Sequence, residues 1–233
     1  GGANFYGRFF KCWIAARHSS HGMVDLTKGI YQSCDTFFYT LGERLGIGKI
    51  AQYALAFGLG KRTGIDLPGE VSGVMPSEEW KIRNFKQKWY AGETISVSIG
   101  QGAVATTPVQ LARAIGGIAT GGQMYKPHLV KIEDIPDDLL RKQAQSEWQE
   151  NEVRIDPQNW TAITDAMADV VSPIGTAGSA QIKTVDFAGK TGTVPYRSTQ
   201  WRSYYGDGTR GVWDPIGGNN IMYGEGYTST PIV

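Results

Sequence analysis

The sequence has almost no net charge: 23 Lys and Arg against 22 Asp and Glu leave +1. The electrostatic footprint of a nucleic-acid or anionic-membrane binder is therefore missing. Cysteine is nearly absent too. Cys12 and Cys34 are too few for a disulfide framework, and they lack the C-x-x-C spacing of a zinc or redox motif. No apolar run approaches the roughly 18 residues that a spanning helix needs. The opening Gly1-Gly2-Ala3-Asn4-Phe5 has neither an initiator Met nor the apolar centre of a secretion signal, which reads as a missing N-terminal segment rather than as a cytoplasmic address. The three histidines, His18, His21 and His128, form no H-E-x-x-H, and no G-x-S-x-G occurs, which removes zincin and α/β-hydrolase chemistry. His128, in an apolar stretch, reads as a structural or edge residue.

What is present is ordinary globular material. The 233 residues are 41% hydrophobic and 19% charged, enough for one large or two small domains with a sizeable core. Residues 1–22 are aromatic and basic without a trusted period, and are expected to be irregular. Phe37, Phe38, Leu41 and Leu45 sit at helical offsets over 36–45, and Gly46 stops that helix. A second helix over 47–57, ended by Gly58, is expected to complete a helical hairpin. Residues 64–88, with Pro68, Gly73 and Pro76, read as a long surface excursion. The strict alternation over 94–99 predicts a half-buried strand.

Thr107, Pro108 and Gln110 spell a capping box with proline at the first helical position, so a helix begins there, and Gly121-Gly122 closes it. A short strand is expected over 127–132, and 133–151 shows no pattern that decides its structure. Asp156-Pro157 starts another helix, with Trp160, Ile163, Met167 and Val170 at core spacing, and Ser172-Pro173 ends it. A strand-like segment over 185–193 contains Gly189-Lys190-Thr191-Gly192-Thr193. Beyond it the composition changes: 195–233 has no Leu, Ala, Phe or Lys but seven Gly and five Tyr. No run there alternates well enough to mark a buried strand, so 1–194 is read as one partial domain and 195–233 as an atypical tail.

Two elements could carry chemistry: Ser33-Cys34-Asp35 before a helix and Lys190-Thr191-Gly192-Thr193 on a strand. Alone, each has a plainer reading. Ser-x-Asp before a helix is commonly a cap, and Gly189-Lys190-Thr191 matches the end of a phosphate-binding loop. That loop requires glycine where Thr184 stands and a helix directly after the lysine, which Gly192 and Pro195 oppose.

Taken in order, Ser-x-Asp, the Gly100-Gln101-Gly102 segment with its capped helix, and Lys-Thr-Gly-Thr resemble the transpeptidase domain of class B penicillin-binding proteins. The resemblance runs over about 9–193. It is most specific at His21-Gly22 with Val24-Asp25-Leu26, at Ser33 through Tyr39, at Thr63 through Pro68, and at Gly92-Glu93-Thr94 leading to Gly102. It implies an α+β penicillin-binding protein/serine β-lactamase-like fold, here incomplete: a helical subdomain plus part of a central antiparallel sheet. The implied activity is D,D-transpeptidation, cross-linking peptidoglycan stem peptides by acyl transfer in cell-wall elongation, with penicillin binding in the intact protein.

By that resemblance Ser33 passes a proton between the nucleophile's lysine and the leaving amine, and Asp35 holds neighbouring groups where many relatives have Asn. Lys190 sets positive potential under the substrate's carboxylate. Thr191 and Thr193 donate hydroxyls, the Thr193 N–H serves the oxyanion, and Gly192 lets the substrate lie along the strand edge. The nucleophile itself is not found, because no Ser is followed by Lys three residues on. In this family that motif lies upstream of Ser-x-Asp, so the chain alone is expected not to catalyse. The resemblance further implies a membrane anchor upstream, a periplasmic location on the inner membrane, and a glycan polymerase and a scaffold protein as partners, beside the stem peptide and β-lactams. No cofactor or metal is assigned. His21, Asp25 and Cys34 could ligate zinc, as in some family members, but only His21 and Cys34 fit, and structural roles are expected for them. Two alternatives stay open: a non-catalytic peptide-binding or scaffold module that lost the nucleophile, and a serine β-lactamase-like hydrolase.

Overall fold

In the computed structural model, residues 1–182 and 184–194 are described, with side chains to residue 192, together with the strand residues 202–204, 210–212 and 228–232. Tyr6 and Gly7 both adopt positive φ (50° and 76°), the pairing a two-residue hairpin turn demands. They join β1 (Gly2–Phe5) to β2 (Arg8–Lys11) in an antiparallel ladder with Phe5 opposite Arg8. The N-terminal stretch is thus a hairpin rather than irregular chain. Its strands of four residues are too short to show a period. Phe5 and Phe10 pack edge-on with each other and with Tyr39, and Ile95 completes that small core.

After a short 3-10 turn (Trp13–Arg17) come α1 (Leu26–Tyr31), with Asp25 as its N-cap, and α2 (Asp35–Ala56). Gly46, at φ 73° and ψ 162°, breaks the helical geometry inside α2. The two helices expected there therefore follow each other without the loop that a hairpin would need. The excursion over 64–88 contains a helix, α3 (Glu78–Phe85), capped by the Ser77 hydroxyl and closed by Lys86 in the left-handed region. Buried Lys81 on α3 pairs with Glu93 and so holds the excursion to the next element.

That element corrects the alternation argument. Residues 91–97 form helix α4 (Ala91–Val97), not a strand. Thr94, Ile95 and Val97 are all buried, so no polar stripe survives to reveal the helical period, and packing against α2 overrides the strand preference of Thr, Ile and Val. Further on, α5 (Pro108–Ala119) begins with the expected capping box, the Gln110 amide hydrogen donating to Thr107 Oγ1 and the Thr107 amide hydrogen to Gln110 Oε1.

The strand expected over 127–132 lies earlier, as β3 (Gln123–Tyr125). Beyond it the undecided stretch forms α6 (Asp138–Trp148) and β4 (Gln149–Glu152), which pairs with β3. His128 stacks on Trp148 at that edge, ring centroids 3.5 Å apart. Helix α7 (Pro157–Val171) runs as expected from its Asp156 cap, and its Ala166, Met167, Val170 and Val171 bury against Ile30 of α1 and Ala177. The last described strands are β5 (Lys190–Val194), β6 (Arg202–Tyr204), β7 (Arg210–Val212) and β8 (Thr228–Ile232). β6 pairs with β7, and β8 runs antiparallel to β5 with Gly192 opposite Thr230. The tail thus contributes three short strands, one of them paired to β5, that its irregular composition concealed. Among the described residues no helix is long and apolar enough to cross a membrane.

α2 and α4 cross closely because Gly42 has no side chain: a Cβ there would stand 2.3 Å from Ser98 Cβ. Gly42→Ala is expected to cost about 1–3 kcal/mol of stability by overpacking. Gly48→Ala in the same helix, where nothing lies within 4 Å, should gain roughly 0.5–1 kcal/mol. Thermal unfolding followed by circular dichroism separates the pair, and equal midpoints for Gly42→Ala and the parent chain would contradict the crossing.

Candidate active site

Ser33 is placed by the way α1 ends. The Cys34 amide hydrogen donates to Gly29 O (3.0 Å) and the Ser33 amide hydrogen to Ile30 O (3.1 Å), the paired bonds of a Schellman motif. Ser33 occupies the left-handed position of that motif with φ 49°, where glycine is usual because a Cβ is disfavoured. The serine is therefore held in a strained conformation of the kind found at functional residues. It does not cap α2. Cys34 is the N-cap residue, and no side chain bonds into the helix start there.

β5 brings the second element to this turn. Lys190 Nζ donates to Ser33 Oγ at 2.6 Å, across 157 residues of sequence, and to Thr191 O at 2.9 Å. Thr191 Oγ1 lies 3.2 Å from Ser33 Oγ. Gly192 is exposed on the same strand, whose other edge has no partner strand among the described residues. Thr193 lies in β5 opposite Ser229, and its side chain is outside the described residues. Ser33, Lys190 and Thr191 are thus in direct contact.

Asp35 sits one step away. Its Oδ2 accepts the Trp13 amide hydrogen at 2.8 Å. Burial pushes its carboxyl up to about 6, and neighbouring Cys12 adds to this, while the Trp13 N–H and the Lys190 charge oppose the rise. Burial likewise brings Lys190 down to about 8, and only the Asp35 charge works the other way. At neutral pH Lys190 is therefore an ammonium bound to the serine hydroxyl, and it is easier to deprotonate than an exposed lysine.

Three contributors carry no local motif. The Trp13 indole N–H donates to both Gln32 O and Ser33 O at 3.0 Å, clamping the serine's turn. Thr176, in the turn after α7, has its Oγ1 2.8 Å from Thr191 Oγ1 and 3.5 Å from Ser33 Oγ. Cys12 meets His21 and Cys34, and the ligand atoms of all three lie within 4.8 Å of one another. His21 Nδ1 is 3.5 Å from Cys12 Sγ. Asp25 does not join this cluster, because its Oδ1 caps α1 through the Lys28 amide. The first proton leaves the thiol pair readily, since a Cys12 thiolate accepts a hydrogen bond from Cys34; the second is held back by that bond and by burial. His21 Nε2 is buried without a partner among the described residues. Two sulfurs, one easily ionised, and an imidazole with an orphaned nitrogen are a donor set that fits a soft divalent metal.

Because Ser33 keeps a side chain in the left-handed region, Ser33→Gly is expected to raise the thermal midpoint by a few degrees, about 1 kcal/mol of relieved strain, while deleting the hydroxyl that Lys190 binds. A lower midpoint would show that the lysine–serine bond outweighs the strain.

The penicillin binding protein transpeptidase domain matches residues 2–213 as a family. Over 198 residues the chain is 37% identical to the peptidoglycan D,D-transpeptidase MrdA of Acinetobacter baumannii, covering 81% of this chain and 27% of that protein. It is 43% identical over 127 residues to the Salmonella typhimurium MrdA, covering 54% and 20%. Among solved structures, Pseudomonas aeruginosa PBP2 in complex with WCK 5153 superposes with a TM-score of 0.71 at 34% identity, covering 83% of this chain and 41% of that one. PBP2 of Helicobacter pylori in its complex with MreC gives 0.69 at 30%, covering 82% and 34%. The chain spans about a quarter of the length of the first of these relatives. With the serine turn, the lysine strand and this match over most of its length, the chain belongs to the penicillin-binding protein transpeptidase family, on the side of the PBP2 proteins.

Proposed function

We propose that the chain is part of a peptidoglycan D,D-transpeptidase, and that its cleft binds the D-alanyl-D-alanine end of a stem peptide, or a β-lactam in its place, for acyl transfer to a serine. The observation that carries this reading is the 2.6 Å bond between Lys190 Nζ and Ser33 Oγ. A carboxylate entering there would meet a half-buried ammonium flanked by the Ser33 and Thr191 hydroxyls, an arrangement suited to an anion with several oxygens. Ser33 can take a proton from one neighbour and give one to another, which is what expulsion of D-alanine as an amine requires. Gly192, exposed on β5, leaves room for an extended peptide along the strand.

These residues handle protons and bind the substrate, and they do not include an activated nucleophile. No serine in the chain has a lysine three residues on, so a fluorescent penicillin should not label the chain by itself. That observation also favours the second reading, a peptide-binding module without acyl chemistry; labelling after the chain is joined to a Ser-x-x-Lys segment decides for the enzyme. By likeness to the PBP2–MreC complex and to a peptidoglycan synthase complex, a scaffold protein and a glycan polymerase are the partners, and the site works in the periplasm on a membrane-anchored protein. Cys12, His21 and Cys34 would hold a zinc ion. When bound, it would tie the segment after β2 to the start of α2 as a structural cross-link.

Affinity for an N-acylated Lys-D-Ala-D-Ala peptide, measured by calorimetry, should be level below pH 8 and fall above it, because the Lys190 proton that pairs with the carboxylate leaves near pH 8 rather than near 10.5. Lys190→Arg should remove the fall and Lys190→Met should abolish binding. Affinity unchanged from pH 7 to 9.5 would contradict the pairing. Elemental analysis of the purified chain is expected to find one zinc per chain, reduced in Cys12→Ser, with a lower thermal midpoint after chelation. No stoichiometric metal would remove the ion from the account.

A further inference from the structure

Thr176 sits outside both motifs, yet two elements converge on it. Its amide hydrogen donates to Tyr31 O at 3.0 Å, and Tyr31 is the last residue of α1, two before Ser33. The next amide, of Ala177, donates to Val170 O at 2.8 Å. Gly175 lies so close to the end of α7 that a Cβ would stand 2.1 Å from Asp169 O. The turn has no slack, and it fixes Thr176 against the serine's own turn.

The three hydroxyls of Ser33, Thr191 and Thr176 form a triangle with sides of 3.2, 2.8 and 3.5 Å. Their proton directions follow from the lysine. An ammonium only donates, so Ser33 Oγ is an acceptor towards Lys190, and its own proton must go elsewhere. The nearer acceptor is Thr191. Thr191 then donates across the short 2.8 Å side to Thr176, which leaves the Thr176 proton as the one not used inside the triangle. Thr176 is exposed, so that proton faces open space beside the cleft. Each link of such a chain polarises the next, and the last hydroxyl becomes a better donor than an isolated threonine.

We propose that Thr176 is a further substrate-binding residue, the terminal donor of the chain Lys190–Ser33–Thr191–Thr176, and that it donates to an oxygen of the bound peptide's terminal carboxylate. This rests on the reading of the cleft as a peptide-carboxylate site. It adds to that site a residue from the α7 turn, and it makes the affinity depend on the order of the chain as well as on the lysine charge.

Calorimetric binding of N-acylated Lys-D-Ala-D-Ala to the parent chain, Thr176→Val, Thr176→Ser, Thr191→Val and the Thr176→Val/Thr191→Val double variant tests it. Thr176→Val should weaken binding about tenfold or more, the loss of one charge-assisted hydrogen bond. Thr176→Ser, which keeps the hydroxyl, should stay within about twofold of the parent. With Thr191 already valine the chain is cut but the Thr176 hydroxyl remains, so the Thr176→Val step should shrink to about fivefold. The peptide amide, which lacks the carboxylate, should show no Thr176 effect. Parent-like binding by Thr176→Val, equal losses in Thr176→Ser and Thr176→Val, or additive losses in the double variant would each overturn the proposal while leaving the cleft reading intact. If the parent chain itself shows no saturable affinity for the peptide, the cleft reading fails, and this proposal with it. Should Thr176→Val unfold, Thr176→Ala, alone and against the Thr191→Val background, gives the same comparison, because it removes the hydroxyl and adds nothing to the turn.

Discussion

A half-buried ammonium donating to a serine hydroxyl is the contact on which the candidate site depends. It joins the end of α1 to β5, the two parts of the chain with the least local reason to meet, and it places a charge where burial disfavours it. Such an arrangement contributes little to folding by itself. On the proposed reading, its value lies in what it offers a ligand: a cation already stripped of part of its water, with hydroxyls arranged around it and a short reach to an incoming carboxylate. The Asp35 carboxyl, itself pushed towards neutrality, partly offsets the charge without competing for the serine.

The surrounding elements serve to hold that contact in place. Helix α1 ends in a turn whose two backbone bonds fix Ser33 in the left-handed region. The indole of Trp13 binds the carbonyls of Gln32 and Ser33 from one side, and the α7 turn holds the Tyr31 carbonyl from another. The core formed by Ile30, Met167 and Val170 sets the spacing between α1 and α7, and therefore the distance from the serine turn to the turn that carries Thr176.

Much of this was legible in the residues, and what was not shares a physical cause. Thr107, Pro108 and Gln110 declared α5 because a capping box is a local hydrogen-bond arrangement that depends on nothing else. Asp156 and Pro157 did the same for α7. Ser33, Lys190 and Thr191 were recognisable as motif members, and the structure brings them into contact. Residues 94–99 misled because Thr94, Ile95 and Val97 are buried together, so the alternation of polar and apolar residue types does not mark an exposed face. Cys12 showed no pairing because its neighbours His21 and Cys34 are close in space only, and Thr176 lies in a turn whose sequence advertises nothing but the stop of α7. Strand β8 was hidden by a composition of Thr, Ser and Pro with a single Ile, and it is recognised only by its ladder to β5.

The Trp13 ring touches both regions at once. It lies 5.4 Å from the His21 imidazole while its N–H holds the serine's turn, and its own amide binds Asp35. Tyr39 of α2 reaches back to Lys11 O in β2, so the aromatic hairpin is bonded to the helix that follows the serine. The hairpin, the sulfur–imidazole cluster and the serine turn are consequently one cooperative unit for local opening: a fluctuation that lifts the first seventeen residues away cannot leave Ser33 in register with Lys190.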